Sequence, residues 1–208
     1  YCTCAKCKAL DDGQRKSVFA NDPENHSASY YTFVNRVAQG IADEFPDVRL
    51  GLLAYQGTIM PPSFAVHRSV VPMMTFDTLA AGMDPEVRAR QDRVIEEWGG
   101  KVPETGIWDY CWGRSYDLPR VDFAGRAQRL KFLHAHGGWA YFGENSRMAD
   151  MLDGPKTYLT ARLLEDIDAD PDVILEEWFS RFAGQAARDE LRRLYGDCEA
   201  YWRSEPMR

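Results

Sequence analysis

Apolar residues recur at helix or strand spacing along most of this chain, and the grouping predicts its elements. Residues 1–29 lack such a period; they are polar, turn at Asp11-Asp12-Gly13 and Asn21-Asp22-Pro23, and read as a long loop. From Tyr30 the series Phe33, Val34, Val37, Ile41 and Phe45 predicts a helix that stops at Pro46-Asp47. Residues 50–55 form an apolar run of strand length, and residues 70–76 form another that carries a poor strand residue, Pro72. Asp84-Pro85 starts a helix by cap and first-turn proline, continuing to Gly99-Gly100. A third strand is predicted at 107–112, a helix at 121–134, and a fourth strand at 139–142 behind Gly137-Gly138. The remainder is helical: about 148–166, then Asp170-Pro171 to near Gly184, then Gln185 to about Arg203.

Four short buried strands separated by helices or long loops imply an α/β fold with parallel strands. No strand is followed by G-x-G-x-x-G or G-x-x-x-x-G-K, so the phosphate-loop signature of nucleotide-binding doubly wound folds is missing. The expected architecture is therefore a partial (β/α)8 TIM-type barrel of about four β/α units. Residues 1–147 would supply the C-terminal half of the barrel with its cysteine-containing loop, and 148–208 a helical extension packed on it. A whole barrel takes about 250 residues, more than the 208 present, so further N-terminal sequence is expected. A net charge of -7 argues against a phosphate backbone as partner. No run approaches the roughly 20 apolar residues of a membrane span.

Candidate chemistry gathers at the strand ends. Glu144, between Gly143 and Asn145 after the fourth strand, stands where barrel enzymes place catalytic groups, although capping the next helix would also explain it. Asp109 interrupts an aromatic strand, with Ile107 and Cys111 on its side and Trp108, Tyr110 and Trp112 on the other. A buried carboxylate needs a partner, so Asp109 is either poised for chemistry or paired with an arginine such as Arg114 or Arg126. Tyr55, Trp108, Tyr110, Trp112, Trp139 and Tyr141 offer flat faces for a sugar ring, with core packing as the competing explanation. His134 and His136 flank Ala135 just before Gly137-Gly138; joint metal ligation is not expected, and His136 could hydrogen-bond within the site.

Cys2, Cys4 and Cys7 form C-x-C-x-x-C, three of the four ligands of a structural zinc site, with His26 or Cys111 conceivable as the fourth. Free thiols or one disulfide are the alternatives, and Cys198 reads as packing. No other cofactor is expected.

The ordered set Cys2-Thr3-Cys4-Ala5-Lys6-Cys7, residues 29–38, Phe45-Pro46-Asp47, Leu53-Ala54-Tyr55 with Pro61-Pro62, and Tyr141-Phe142-Gly143-Glu144-Asn145-Ser146 resembles a known family. It is similar to the C-terminal half of the uncharacterised glycoside-hydrolase-like bacterial barrel domain related to α-glucuronidases. The resemblance implies strands five to eight of a barrel, export from the cell, and a saccharide ligand. On that basis Glu144 would be acid/base or stabilising carboxylate, Asp109 its partner or orienter, and the strand-end aromatics with Asn145 and His136 the subsite. A non-catalytic sugar-binding module and a zinc-stapled scaffold are the alternatives. Open strand edges should pair with the missing half-barrel or with a second copy.

Overall fold

The computed structural model describes residues 1–19, 24–111, 118–144 and 153–204. Its elements are α1 (Ala5–Asp11), α2 (Ser27–Ala42), β1 (Leu50–Ala54), a 3-10 turn (Gln56–Thr58), β2 (Val70–Phe76), α3 (Thr78–Met83), α4 (Pro85–Gly99), β3 (Thr105–Tyr110), α5 (Phe123–Ala135), β4 (Gly138–Glu144), α6 (Gly154–Glu165) and α7 (Pro171–Ser204). This is a mixed α/β arrangement with a four-stranded parallel sheet in the order β1-β2-β3-β4. β1 pairs with β2 from Leu50 opposite Val70 to Ala54 opposite Met74. Pro72 sits inside this register without breaking it.

Strand order equal to chain order has a direct consequence. Right-handed crossovers that always step the same way put their helices on one face of the sheet. The burial of β3 follows that division. Thr105, Ile107 and Asp109 are buried, whereas Trp108 and Tyr110, on the opposite side, are only partly so. β2 is buried at every position but Met73, while no residue of the edge strand β4 is fully buried.

The chain forms two compact units. The first comprises Tyr1–Phe76, Arg90–Trp108 and Ala135–Phe142; the second comprises Asp77–Ala89, Asp109–His134 and Gly143–Arg208. In the first, Tyr31 of α2 meets Trp98 of α4 with ring centroids 5.1 Å apart, and the indole N–H of Trp98 donates to the Ile59 carbonyl at 2.8 Å. Both side chains are wholly buried, as are Val70 and Met74 of β2 and Val94 and Ile95 of α4 in the same unit, so apolar stripes of the helices and positions of β2 supply its core. In the second, Trp178, Phe179 and Tyr195 of α7 pack ring to ring, and Trp202 donates its indole N–H to the Pro119 carbonyl at 2.7 Å.

The N-terminal region departs from the long loop expected for residues 1–29. A helix, α1, occupies Ala5–Asp11, and α2 already begins at Ser27. Helix α1 buries no residue, so no apolar period marked it. Its last residue fastens it: the Asp11 carboxylate accepts from the Ser29 N–H and hydroxyl, both at 2.8 Å. Helix α3 was also unmarked; the Asp77 carboxylate caps it by accepting from the Ala80 N–H. No helix among the described residues is long and apolar enough to cross a membrane.

The two helices expected on either side of Gly184 meet there as one element, α7, broken by backbone angles of φ 67 and ψ 174 at that glycine. This conformation is nearly confined to glycine. A Cβ at Gly184 would meet open space, so Gly184→Ala isolates the backbone cost. It should destabilise the protein by about 1–3 kcal/mol, read as a lower urea midpoint at unchanged m value.

Candidate functional site

Parallel α/β sheets place ligands beyond the carboxyl ends of their strands. Those ends carry Tyr55 after β1, Asp77 after β2, Asp109, Tyr110 and Cys111 at β3, and Glu144 at β4.

Asp109 is fully buried and held on several sides within the second unit. Its carboxylate accepts from the Thr78 N–H at 3.1 Å, the Thr78 hydroxyl at 2.8 Å and Arg126 Nη1 of α5 at 2.9 Å. The Cys111 thiol lies 3.4 Å from the same carboxylate. Arg126 is as deeply buried as Asp109, with side-chain exposures of 1% and 0%. This is the arginine partner expected from the sequence; Arg114, the other possibility, lies outside the described residues. Around the pair stand two more ionic contacts. Arg120 Nη2 meets Asp77 Oδ2 at 2.7 Å, and Lys156 Nζ meets Asp153 Oδ1 at 2.8 Å. Lys156 also donates to the carbonyls of Arg120 and Cys111, so its ammonium ties α6 to the end of β3. Burial holds the Lys156 ammonium below its usual range; the attraction of Asp153 opposes this, and the Arg126 charge adds to it.

A second carboxylate in this unit organises the start of α5. Asp122 accepts from the Gly125 N–H at 3.1 Å and from Arg203 Nη2 at 2.9 Å. It packs so tightly that a Cβ on Gly82 or Gly125 would lie 1.8 Å from its Oδ2. Arg203 also reaches Glu199, whose carboxylate accepts from the Phe123 N–H at 2.7 Å, so the end of α7 is fastened to the first turn of α5. A cavity of about 440 Å³ opens between these helices, floored by Phe123, Leu175 and Phe179 and edged by Lys131 and Arg192.

Glu144 belongs to the other side of the sheet. Trp108 of β3 stacks on Phe142 of β4 with centroids 3.9 Å apart and planes 23° from parallel, so these two residues share a face. Alternation along β4 puts Glu144 on that same side, two residues beyond Phe142, and alternation along β3 puts Asp109 on the opposite side. Glu144 is half-buried, Phe142 is 46% exposed, and Tyr110 is half-buried on the same face as Trp108.

The remaining aromatics divide between the faces. Trp139 and Tyr141 alternate away from Phe142, Trp139 being 61% exposed on the edge strand. Tyr55 is part-exposed, its carbonyl accepting from the Tyr1 hydroxyl and its phenol oxygen from the Gln56 amide. Trp112 and Asn145 lie outside the described residues. The two histidines do not lie in a strand. His134 is in the last turn of α5, and His136 is in the turn before β4, its carbonyl pressed against Gly99 of α4.

The sulfur atoms of Cys2, Cys4 and Cys7 all lie within 4.8 Å of one another, and this group could hold a metal ion. Cys4 precedes α1, where hydrogen bonding from the Cys7 N–H and the neighbouring thiols brings its pKa down to about 7. Hydrogen bonds with the Cys2 and Cys4 side chains push Cys7 up to about 11. Neither conceivable fourth ligand is offered to them. His26 has Nδ1 3.2 Å from Asp11 and Nε2 3.0 Å from Glu24, while Cys111 is buried against Asp109. Cys198 is buried in α7, as expected of packing.

Sequence reasoning overlooked Asp77, Arg120, Lys156 and Asp153. Asp77 had a signal, because it ends the apolar run 70–76 and opens a helix with Thr78. The others had none, since lysine and arginine are seldom buried unless a partner distant in sequence receives them.

Two outcomes follow from the buried charges. Arg126→Met strands the Asp109 carboxylate and should cost about 3–5 kcal/mol, whereas Arg126→Met with Asp109→Asn should recover most of that loss; chemical denaturation of the four proteins of the cycle measures it. For Lys156, the folded pKa lies below the unfolded 10.5. The unfolded chain therefore holds the extra proton between those values, and stability rises with pH across that window. The contribution is complete above 10.5 and lost as pH falls through the folded pKa. Lys156→Met should show a shallower alkaline rise in urea midpoint than the parent protein.

No curated protein and no solved structure matches the chain. A family match covers residues 1–196, nearly the whole sequence. The chain belongs to the family described as Domain of unknown function (DUF4838).

Proposed function

We propose that this chain is a carbohydrate-active, glycoside-hydrolase-like domain whose sheet is half of a (β/α)8 barrel. The observation that carries the reading is the position of Glu144. It closes the parallel strand that carries Phe142, two residues beyond the ring that stacks on Trp108. A sugar ring needs that combination, because its C–H face stacks on aromatic carbon while its hydroxyls seek charged acceptors. Strand order supports the barrel: doubly wound sheets reverse direction at a switch point, and β1-β2-β3-β4 does not. The edge strands β1 and β4 are where the other half-barrel, or a second copy, would pair.

In this reading Glu144 protonates the leaving oxygen or stabilises oxocarbenium-like charge. Asp109, held by Arg126 and Thr78, positions α3 and α5 against the end of β3. A second carboxylate about 5–5.5 Å from Glu144 would give retention of configuration and one about 6.5–9.5 Å away inversion. The engagement of Asp109 also favours a second reading, a sugar-binding module without hydrolysis.

Binding of neutral and uronic-acid-containing oligosaccharides by calorimetry, with turnover measured in parallel, tests both. Phe142→Ala and Trp108→Ala should each weaken binding at least about tenfold, a loss of about 1.4 kcal/mol. Glu144→Gln should preserve binding and reduce turnover about 10²–10⁴-fold. Binding with no turnover by the parent protein selects the module. Absence of saccharide binding, or binding indifferent to the aromatics, overturns the proposal.

A further inference from the structure

The N-terminal thiols are not used by the saccharide reading, and they stand apart from its strand ends in sequence and in chemistry. Cys4 and Cys7 flank the first turn of α1, and the extended residues before it fold Cys2 back so that all three sulfurs come within 4.8 Å of one another. Four ligands at the 2.3 Å zinc–sulfur bond length define a tetrahedron with edges of about 3.8 Å. Small rotations of exposed side chains close the remaining gap, since Cys2 and Cys4 are exposed and Cys7 half-buried.

The donor set is selective. Three sulfurs with no oxygen ligand among them suit a thiophilic cation such as Zn²⁺ and not Mg²⁺ or Ca²⁺. The segment is short and lies outside the cores. Helix α1 is seven residues long and buries none of them, far below the length at which an isolated helix persists in water. Asp11 fastens its far end to Ser29, while its near end has the stack of Tyr1 on His26, 4.3 Å between centroids.

We propose that Cys2, Cys4 and Cys7 bind one Zn²⁺ that staples the extended N-terminal residues to the first turn of α1, with water as the fourth ligand. Binding is ligand exchange without redox change: Zn²⁺, three thiols and one water give a tris-thiolate aqua complex of charge −1 and three released protons. Lys6 and Lys8, on the same helix, supply nearby positive charge. The open fourth position follows from His26, whose two ring nitrogens are already engaged by Asp11 and Glu24.

The test uses the whole chain, reduced, freed of metal and titrated with Zn²⁺ alone. One equivalent should bind, and Co²⁺ in its place should show thiolate-to-metal charge transfer with the visible bands of tetrahedral cobalt. Cys2→Ser, Cys4→Ser and Cys7→Ser should each weaken Zn²⁺ binding at least about tenfold, whereas Cys198→Ser should not. Hydrogen exchange at residues 5–11 should slow on adding Zn²⁺, a response that metal caught at a stray thiol would not give. Substoichiometric binding, an octahedral cobalt spectrum, binding indifferent to these three substitutions, or unchanged exchange at 5–11 would each overturn the proposal. Circular dichroism of the three variants without metal should match the parent, since the thiols lie outside both cores; loss of the fold in any of them also overturns it.

Discussion

A carboxylate removed from water has to be compensated from several directions at once, and Asp109 sets that requirement for the second unit. Its compensation comes from Thr78 at the start of α3 and Arg126 in α5, elements that precede and follow β3 in the chain. Arg126 in turn brings a buried cation next to Lys156, which needs Asp153 and two carbonyls before it can enter the interior as an ammonium. Each charge is tolerable only because the next is in place, so three helices are fixed by one connected set of contacts. A purely apolar contact would have let these helices slide; directional bonds do not.

The same network explains which part of the chain could be read before its structure. Helices α2, α4 and α5 and all four strands were visible in apolar spacing, as was the break at Gly184, because each follows from local side-chain period or backbone restriction. That Asp109 required a cation was also visible, and Arg126 was one of the two residues considered. Helices α1 and α3 escaped notice for different reasons. The first buries nothing, so no pattern betrays it, and the second is only six residues long, too short to show a helical period.

The pairing of Asp109 with Glu144 could not be judged from sequence, since alternation assigns sides within one strand and says nothing of which side of the next strand matches. The Trp108–Phe142 stack supplies that missing link. Lys156 shows a further limit: its burial depends on carbonyls 36 and 45 residues away, contacts that no local period encodes.

Strand protection is unequal across the sheet. β2 is sheltered along nearly its whole length, whereas β4 is open at Trp139 and Phe142, half-covered elsewhere, and has a neighbour on one side only within the described sheet. Thermal breathing of the parallel array is thus expected to be freer at β4, the strand that carries Phe142 and Glu144, than at β2. A molecule settling on that strand would meet a surface softer than the floor beneath it, so its affinity would include the entropy lost in quieting the edge. Rigidity added there by any neighbouring segment would lower that entropic toll before a ligand arrived.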